Sequence, residues 1–214
     1  MPRIKSLCIV LAVTAAILYN TWPLGYILDP KALSDSYISV LEVSGKPYAW
    51  LFIIADILSG IVVITVGLLL YKLTSLSKRS VLGYLVFGLA TLIDAIIPIA
   101  ARCEESVSAC GIAPSQVLSP HDLASIAAAA GILSCLLGVR RRQRKTQNKS
   151  GYNWLSISYY LWCITGLLLI SSVVADRFTT AGQAVYLAAC GIGLIVVPAT
   201  LPEIKSRVKN KLTP

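Results

Sequence analysis

Asp56 sits in the run LFIIADILSG and Asp94 in LATLIDAIIP. A carboxyl in such apolar surroundings costs several kcal/mol unless it faces water, a cavity or a partner, so each is a candidate for holding a proton, a cation or a polar ligand. The single histidine, His121, adds a group whose neutral imidazole accepts a proton near neutral pH. Ser59 stands three residues after Asp56, on the same side of a helix. With His121 as base and an aspartate to orient it, that hydroxyl would be a nucleophile. A simpler use stands beside these: each aspartate is neutral, or paired with Arg102 or Arg177, and only holds helices together, while His121 is a solvated loop residue.

Composition decides what kind of elements carry these residues. Charged residues make up 14% of the 214 and the hydrophobic set 56%, with a mean hydropathy of +0.74, against about 25% charged in soluble domains. That excludes an ordinary soluble domain and a disordered chain alike. Six stretches approach or exceed the ~20 residues that cross the ~30 Å hydrocarbon layer as helices. They run approximately Ser6–Trp22, Ala49–Tyr71, Val81–Ala101, Asp122–Val139, Leu155–Val174 and Ala181–Leu201. Unbroken runs such as Ile61 to Leu70 lack the alternation of a barrel strand, so helices are the spanning element. The expectation is an all-α, polytopic transmembrane bundle of six helices forming one domain over residues 1–214.

The net charge of +9 is not spread evenly. With the N-terminus inside, the inner segments hold Arg3, Lys5, Lys72, Lys78, Arg79, Arg140, Arg141, Arg142, Arg144, Lys145, Lys149, Lys205, Arg207, Lys209 and Lys211. The outer ones hold only Lys31, Lys46, Arg102 and Arg177. Fifteen bases against four is the positive-inside pattern. It places both termini in the cytoplasm and makes the chain a multi-pass protein of the plasma (cytoplasmic) membrane. The Arg140 to Lys149 cluster follows a membrane segment and has no interleaved aromatics, so it suits anionic membrane lipid and not nucleic acid.

Several local features carry expectations of their own. Arg3 and Lys5 before a short apolar run resemble a signal peptide, but Tyr19, Trp22 and Tyr26 close the segment as an interface belt, which favours a retained helix. In the first outer loop, Asp29, Pro30 and Gly45 delimit a short amphipathic helix on the membrane surface. Leu33, Tyr37, Val40 and Leu41 share one face of it, and Lys31 with Asp35 and Glu42 with Lys46 form pairs on the other. Ser119, Pro120 and Asp122 mark the start of the fourth helix. By helix rise, Asp56 and Asp94 lie about 9 to 12 Å below the outer boundary.

Small-residue stripes permit close helix approach. Asp56, Ser59, Gly60, Val63 and Gly67 line the second helix, and Phe87, Thr91, Asp94 and Pro98 the third. Ala124, Ala128, Gly131, Cys135 and Gly138 line the fourth, and Ala184, Ala188, Ala189 and Gly193 the sixth; these last two faces fit internal packing or a homodimer. Cys103 and Cys110 share an outer connector, where an oxidising exterior would let them form a disulfide. Their C-x6-C spacing with one distant histidine is not a metal pattern, so neither metal nor cofactor is expected. No phosphate-loop, serine-hydrolase or zinc-protease motif is present.

The run N-T-W-P-L-G-Y from Asn20 to Tyr26, the run P-Y-A-W-L-F-I-I-A-D-I-L-S-G from Pro47 to Gly60 and S-P-H-D-L-A from Ser119 carry a resemblance over essentially the whole chain. It resembles a family of bacterial and archaeal six-helix membrane proteins catalogued as a domain of unknown function, number nine-nine-eight. The family brings no activity with it. Ser59, Asp56, Asp94 and His121 are also similar to the set used by membrane-embedded zinc hydrolases, but one histidine cannot build their three-histidine metal site.

Three functions compete. The first is an integral membrane protein that binds a polar or lipid ligand in an outward-facing intramembrane pocket formed by Asp56, Asp94 and His121, with proton-linked transport as its use. The second is a metal-independent enzyme acting on lipid headgroups at the outer leaflet through Ser59 and His121. The third is an assembly protein whose buried polar groups satisfy one another with no cavity.

Overall fold

The computed structural model describes residues 2–33, 38–43, 45–73, 76–97, 101–103, 110–112, 120–145, 149–175 and 178–201. Helix α1 (Pro2–Tyr19) leads through a 3-10 turn at Trp22–Leu24 and the short α2 (Gly25–Leu28) into two more 3-10 turns, Pro30–Leu33 and Ile38–Glu42. Then come α3 (Ala49–Leu73), α4 (Lys78–Ile96), a two-stranded hairpin of β1 (Ala101–Cys103) and β2 (Cys110–Ile112), α5 (Pro120–Lys145), α6 (Lys149–Val174) and α7 (Thr179–Thr200). Among the described residues six helices are long and apolar enough to cross a membrane, the first running on through Leu28. The architecture is therefore the expected all-α one, apart from the hairpin.

Four helix boundaries differ from expectation by several residues for local reasons. The third span was expected over Val81–Ala101, but α4 starts earlier, where the Ser77 hydroxyl accepts from the Ser80 amide at 3.2 Å. It stops at Ile96, because Ile97 precedes Pro98 and takes an extended conformation (φ −82, ψ 113), the one a following proline favours. α5 runs past the apolar stretch to Lys145 and α6 begins at Lys149, since arginine and lysine are good helix formers. The loop after α1 is not one amphipathic helix. Its Leu33, Val40 and Leu41 are buried as expected, but the chain gets there through 3-10 turns, and Tyr37 and Asp35 lie outside the described residues.

The long helices form a closed ring in which α3 packs on α1, α4 on α3, α5 on α4, α6 on α5, α7 on α6, and α7 again on α1. Two of these contacts bring backbone against backbone. A Cβ on Gly60 would stand 2.8 Å from the Gly88 carbonyl, and one on Gly88 2.7 Å from that of Gly60. A Cβ on Gly83 would meet the Gly131 carbonyl at 2.6 Å, and one on Gly131 the Phe87 amide nitrogen at 2.6 Å. The small-residue face of α5, Ala124, Ala128, Gly131, Cys135 and Gly138, is thus buried within the chain. In the centre lie Tyr84, Phe87, Ile132, Leu136, Leu155 and Leu194, and the Tyr84 hydroxyl donates to the Leu194 carbonyl at 3.0 Å, tying α4 to α7.

α6 is the peripheral member. Its Trp154, Ile157, Ile164, Leu167, Leu168 and Ile170 are exposed, as suits a face turned to lipid. Arg140 of α5 holds one end of it. Its guanidinium donates to Ser156 at 3.0 Å, Tyr160 at 3.1 Å and Tyr152 at 3.3 Å and lies over the rings of Tyr152, Tyr159 and Tyr160 at 5.4, 5.0 and 5.1 Å, a cation–π arrangement. Cys8, Cys135, Cys163 and Cys190 are free thiols. Cys103 and Cys110 are directly opposed register partners in the hairpin, but their side chains lie outside the described residues.

The glycine crossings make a contrast that thermal unfolding in detergent can read. Gly131→Ala is expected to cost ~1–3 kcal/mol, the usual penalty of overpacking, because backbone atoms of α4 cannot yield. Gly166→Ala, whose new methyl would meet only the Tyr186 ring at 3.6 Å, is expected to be neutral or stabilising by up to ~1 kcal/mol, the helix preference for alanine.

Candidate functional site

The described part of the residue 20–48 loop packs onto one end of the ring. It lies there as a strap, because Leu33, Ile38, Val40, Leu41 and Val43 bury themselves against Phe52 of α3 and Ala184 of α7. Polar ties fix its height. The Ile38 amide donates to Gln183 Oε1 at 2.6 Å, the Thr180 hydroxyl donates to the Leu33 carbonyl at 3.3 Å, and Lys46 Nζ stands 3.3 Å from Asp29 Oδ2. That last pair replaces the expected Glu42–Lys46 pair and leaves Glu42 free to turn inward.

Beneath the strap is a cavity of about 130 Å³ lined by Glu42, Asp56, Asp94 and His121 together with Tyr19, Trp22, Phe52, Ser125, Gln183 and Tyr186. The carboxyls of Glu42 and Asp56 are close enough for a hydrogen bond between them. Such a bond needs a proton on one of the two, since two carboxylates have no donor between them. Asp94 Oδ2 accepts from the Ser125 hydroxyl at 3.0 Å, and Asp94 Oδ1 lies 2.9 Å from His121 Nδ1. The latter contact is close but does not have hydrogen-bond geometry, and neither atom has another partner. Burial in the strap, and next the negative charge of Asp94, push the Glu42 carboxyl up from 4.5 to about 7, while His121 and the bond from Asp56 pull it the other way.

Asp56, Asp94 and His121 are therefore brought together, each from a different helix. Counted from the ends of their helices, Asp94 is about 3 Å in and Asp56 about 10 Å in by helix rise, since α4 ends at Ile96. Both line the one cavity. Ser59 is not part of it. Its hydroxyl is fully buried and donates to the Ala15 carbonyl of α1 at 3.0 Å, so the nucleophile of the lipid-enzyme reading is committed to helix packing. No lysine or arginine lines the cavity; Arg177 and the side chain of Arg102 lie outside the described residues. Among the described residues no set of three His, Cys, Asp or Glu side chains is arranged to hold a metal.

Glu42 is the residue that sequence reading missed. A signal was present, an acid flanked by Val40, Leu41 and Val43 in an otherwise apolar run, but the helical pairing with Lys46 explained it too easily. Ser125, one helical turn after His121 and on the same face, was also readable in principle.

Neither a curated protein nor a solved structure matches the chain. The family model described as "Protein of unknown function (DUF998)" matches residues 10–201, from the middle of α1 to just past the end of α7. With six candidate spans and a match of that length, this is a multi-pass membrane protein, and the chain belongs to the DUF998 family.

Proposed function

We propose that the protein binds a small polar ligand in the Glu42–Asp56–Asp94–His121 pocket and couples its binding to protons, with the pocket end of the bundle facing outward. The observation that carries this reading is the convergence of three carboxyls and the only histidine, from the strap and three helices, on one cavity. Acids at membrane depth are expensive and mark ion or proton pathways. A purely structural use would leave no space between them. Outward orientation follows from charge: the end opposite the pocket carries Lys72, Lys78, Arg140 to Lys145 and Lys149, and the pocket end only the few bases of the outer loops.

Size and charge narrow the ligand. A volume of about 130 Å³ is close to that of engineered cavities of about 150 Å³ that take up benzene, so a lipid headgroup with its glycerol is too large. Three carboxyls also oppose any phosphate. The ligand is small, polar and not anionic.

The orientation is checked with reporters. A periplasm-active phosphatase fused after Gly45 is expected to be active and one fused after Arg144 inactive; the reverse result would invert the assignment.

The proton is checked at Glu42. Its folded value is raised, so the folded state holds the proton more tightly than the unfolded chain. The stabilisation is complete below about 4.5 and is lost as the pH rises through about 7. Infrared pH-difference spectra of the protein in nanodiscs are expected to show a protonated-carboxyl band that disappears around that upper value. Glu42→Gln is expected to remove it and to flatten the pH dependence of the unfolding midpoint. A band unchanged in Glu42→Gln would defeat the reading.

A further inference from the structure

The pocket carries more information than its acidity. Two of its polar atoms, His121 Nδ1 and Asp94 Oδ1, stand 2.9 Å apart, in contact but poorly aligned for a hydrogen bond, on side chains 12% and 21% exposed. A contact so poorly aligned leaves Asp94 Oδ1 with a lone pair that a donor entering the cavity can take up. Both residues line the cavity, and among the described residues no lysine or arginine does so. The remaining walls are aromatic, with Tyr19, Trp22, Phe52 and Tyr186 around the acids. Carboxylate oxygens beside ring faces are the environment that stabilises an ammonium group.

We infer that the ligand is a small monovalent organic cation, a primary ammonium of about five or six heavy atoms by the size of the cavity, taken up in exchange for one proton of the Glu42–Asp56 pair. This rests on the proposal that the pocket is a ligand site. The exchange balances. One proton leaves Glu42 for bulk water and one positive charge enters, so the pocket's net charge is unchanged. Asp56 keeps its proton and continues to donate to Glu42, while the ammonium donates to the freed oxygen of Glu42 and to Asp94 Oδ1. The groups that face Glu42 across the cavity are Asp56 of α3, Asp94 of α4, His121 of α5, Tyr19 of α1, and Tyr186 and Cys190 of α7. Of these only His121 can carry a positive charge, and it stands beside Asp94, which leaves Glu42 as the carboxyl for an incoming cation. Because Glu42 loses its proton near pH 7, the exchange operates around neutrality.

The experiment uses the full-length protein in nanodiscs, with n-butylammonium as probe and n-butanol as its neutral isostere. Below neutrality, n-butylammonium is expected to raise the unfolding midpoint and to release about one proton per cation bound in weakly buffered solution, with apparent affinity rising about tenfold per pH unit, as a one-proton linkage requires. n-Butanol should do neither. Glu42→Gln should abolish the proton release and the pH slope; Asp94→Asn should weaken binding about tenfold or more, as loss of a hydrogen bond to a charged group does, while keeping the proton count. The proton count in the unsubstituted protein stands even if a variant fails to fold. No protection by n-butylammonium, equal protection by n-butanol, or binding without proton release overturns the cation inference. If the Glu42 infrared band still titrates in that case, the proton-coupled pocket survives and only the ligand class is wrong; if the band is also missing, both fall.

Discussion

The two glycine crossings of α4 set the geometry on which the rest of the bundle depends. Inside a membrane there is no water to drive apolar helices together, so close packing has to come from shape. Gly60 against Gly88 and Gly83 against Gly131 let α3 and α5 approach α4 until backbone atoms touch. With both neighbours held so closely, the last turn of α4 has little freedom in height or rotation. Asp94 in that turn is consequently held between Asp56 of α3 and His121 of α5. Widening either crossing by one methyl group would move acids apart that now share a cavity of about 130 Å³.

The strap covers one end of the ring. Its apolar side chains face down onto Phe52 and Ala184, and Lys46 is drawn aside by Asp29. Glu42 is the strap's acid among the residues that line the cavity, beside Ile38, Ser39 and Leu41. A helix would have turned Glu42 outward beside Lys46, whereas the 3-10 turn at Ile38–Glu42 sends it to Asp56. Its proton affinity follows from this placement, since burial and a neighbouring carboxylate both disfavour the anion.

Much of this was legible in the sequence because membrane constraints are strong and local. Hydropathy places six helices within a few residues, and the cost of burying a charge singles out Asp56 and Asp94. Helix ends were less legible. Hydropathy alone carries the third span through Pro98, whereas the restriction on the preceding Ile97 ends α4 at Ile96, and hydropathy ends the fourth span at Val139, whereas α5 continues through its arginines to Lys145. Ser59 was misjudged for a geometric reason. Three residues turn a helix by about 300°, not a full circle, and that offset carries its hydroxyl from the cavity side of α3 to the α1 side. Glu42 depends on contacts between the strap and helices distant in sequence, including Gln183 held by the Ile38 amide, and no local pattern encodes those.

The ring order has a consequence for biosynthesis. Each long helix after α1 packs on the one made just before it, so pairs can form as the chain leaves the ribosome, with few distant contacts to wait for. The exception is α7, the last helix made, which must also find α1, the first. It brings Gln183 and Tyr186, and Gln183 anchors the strap. Without α7 the cavity would lack the wall that Gln183, Tyr186, Leu187 and Cys190 give it. Closure of the ring and burial of the acids are then one event, and a nascent chain is spared the cost of enclosing charge before the protein around it is complete.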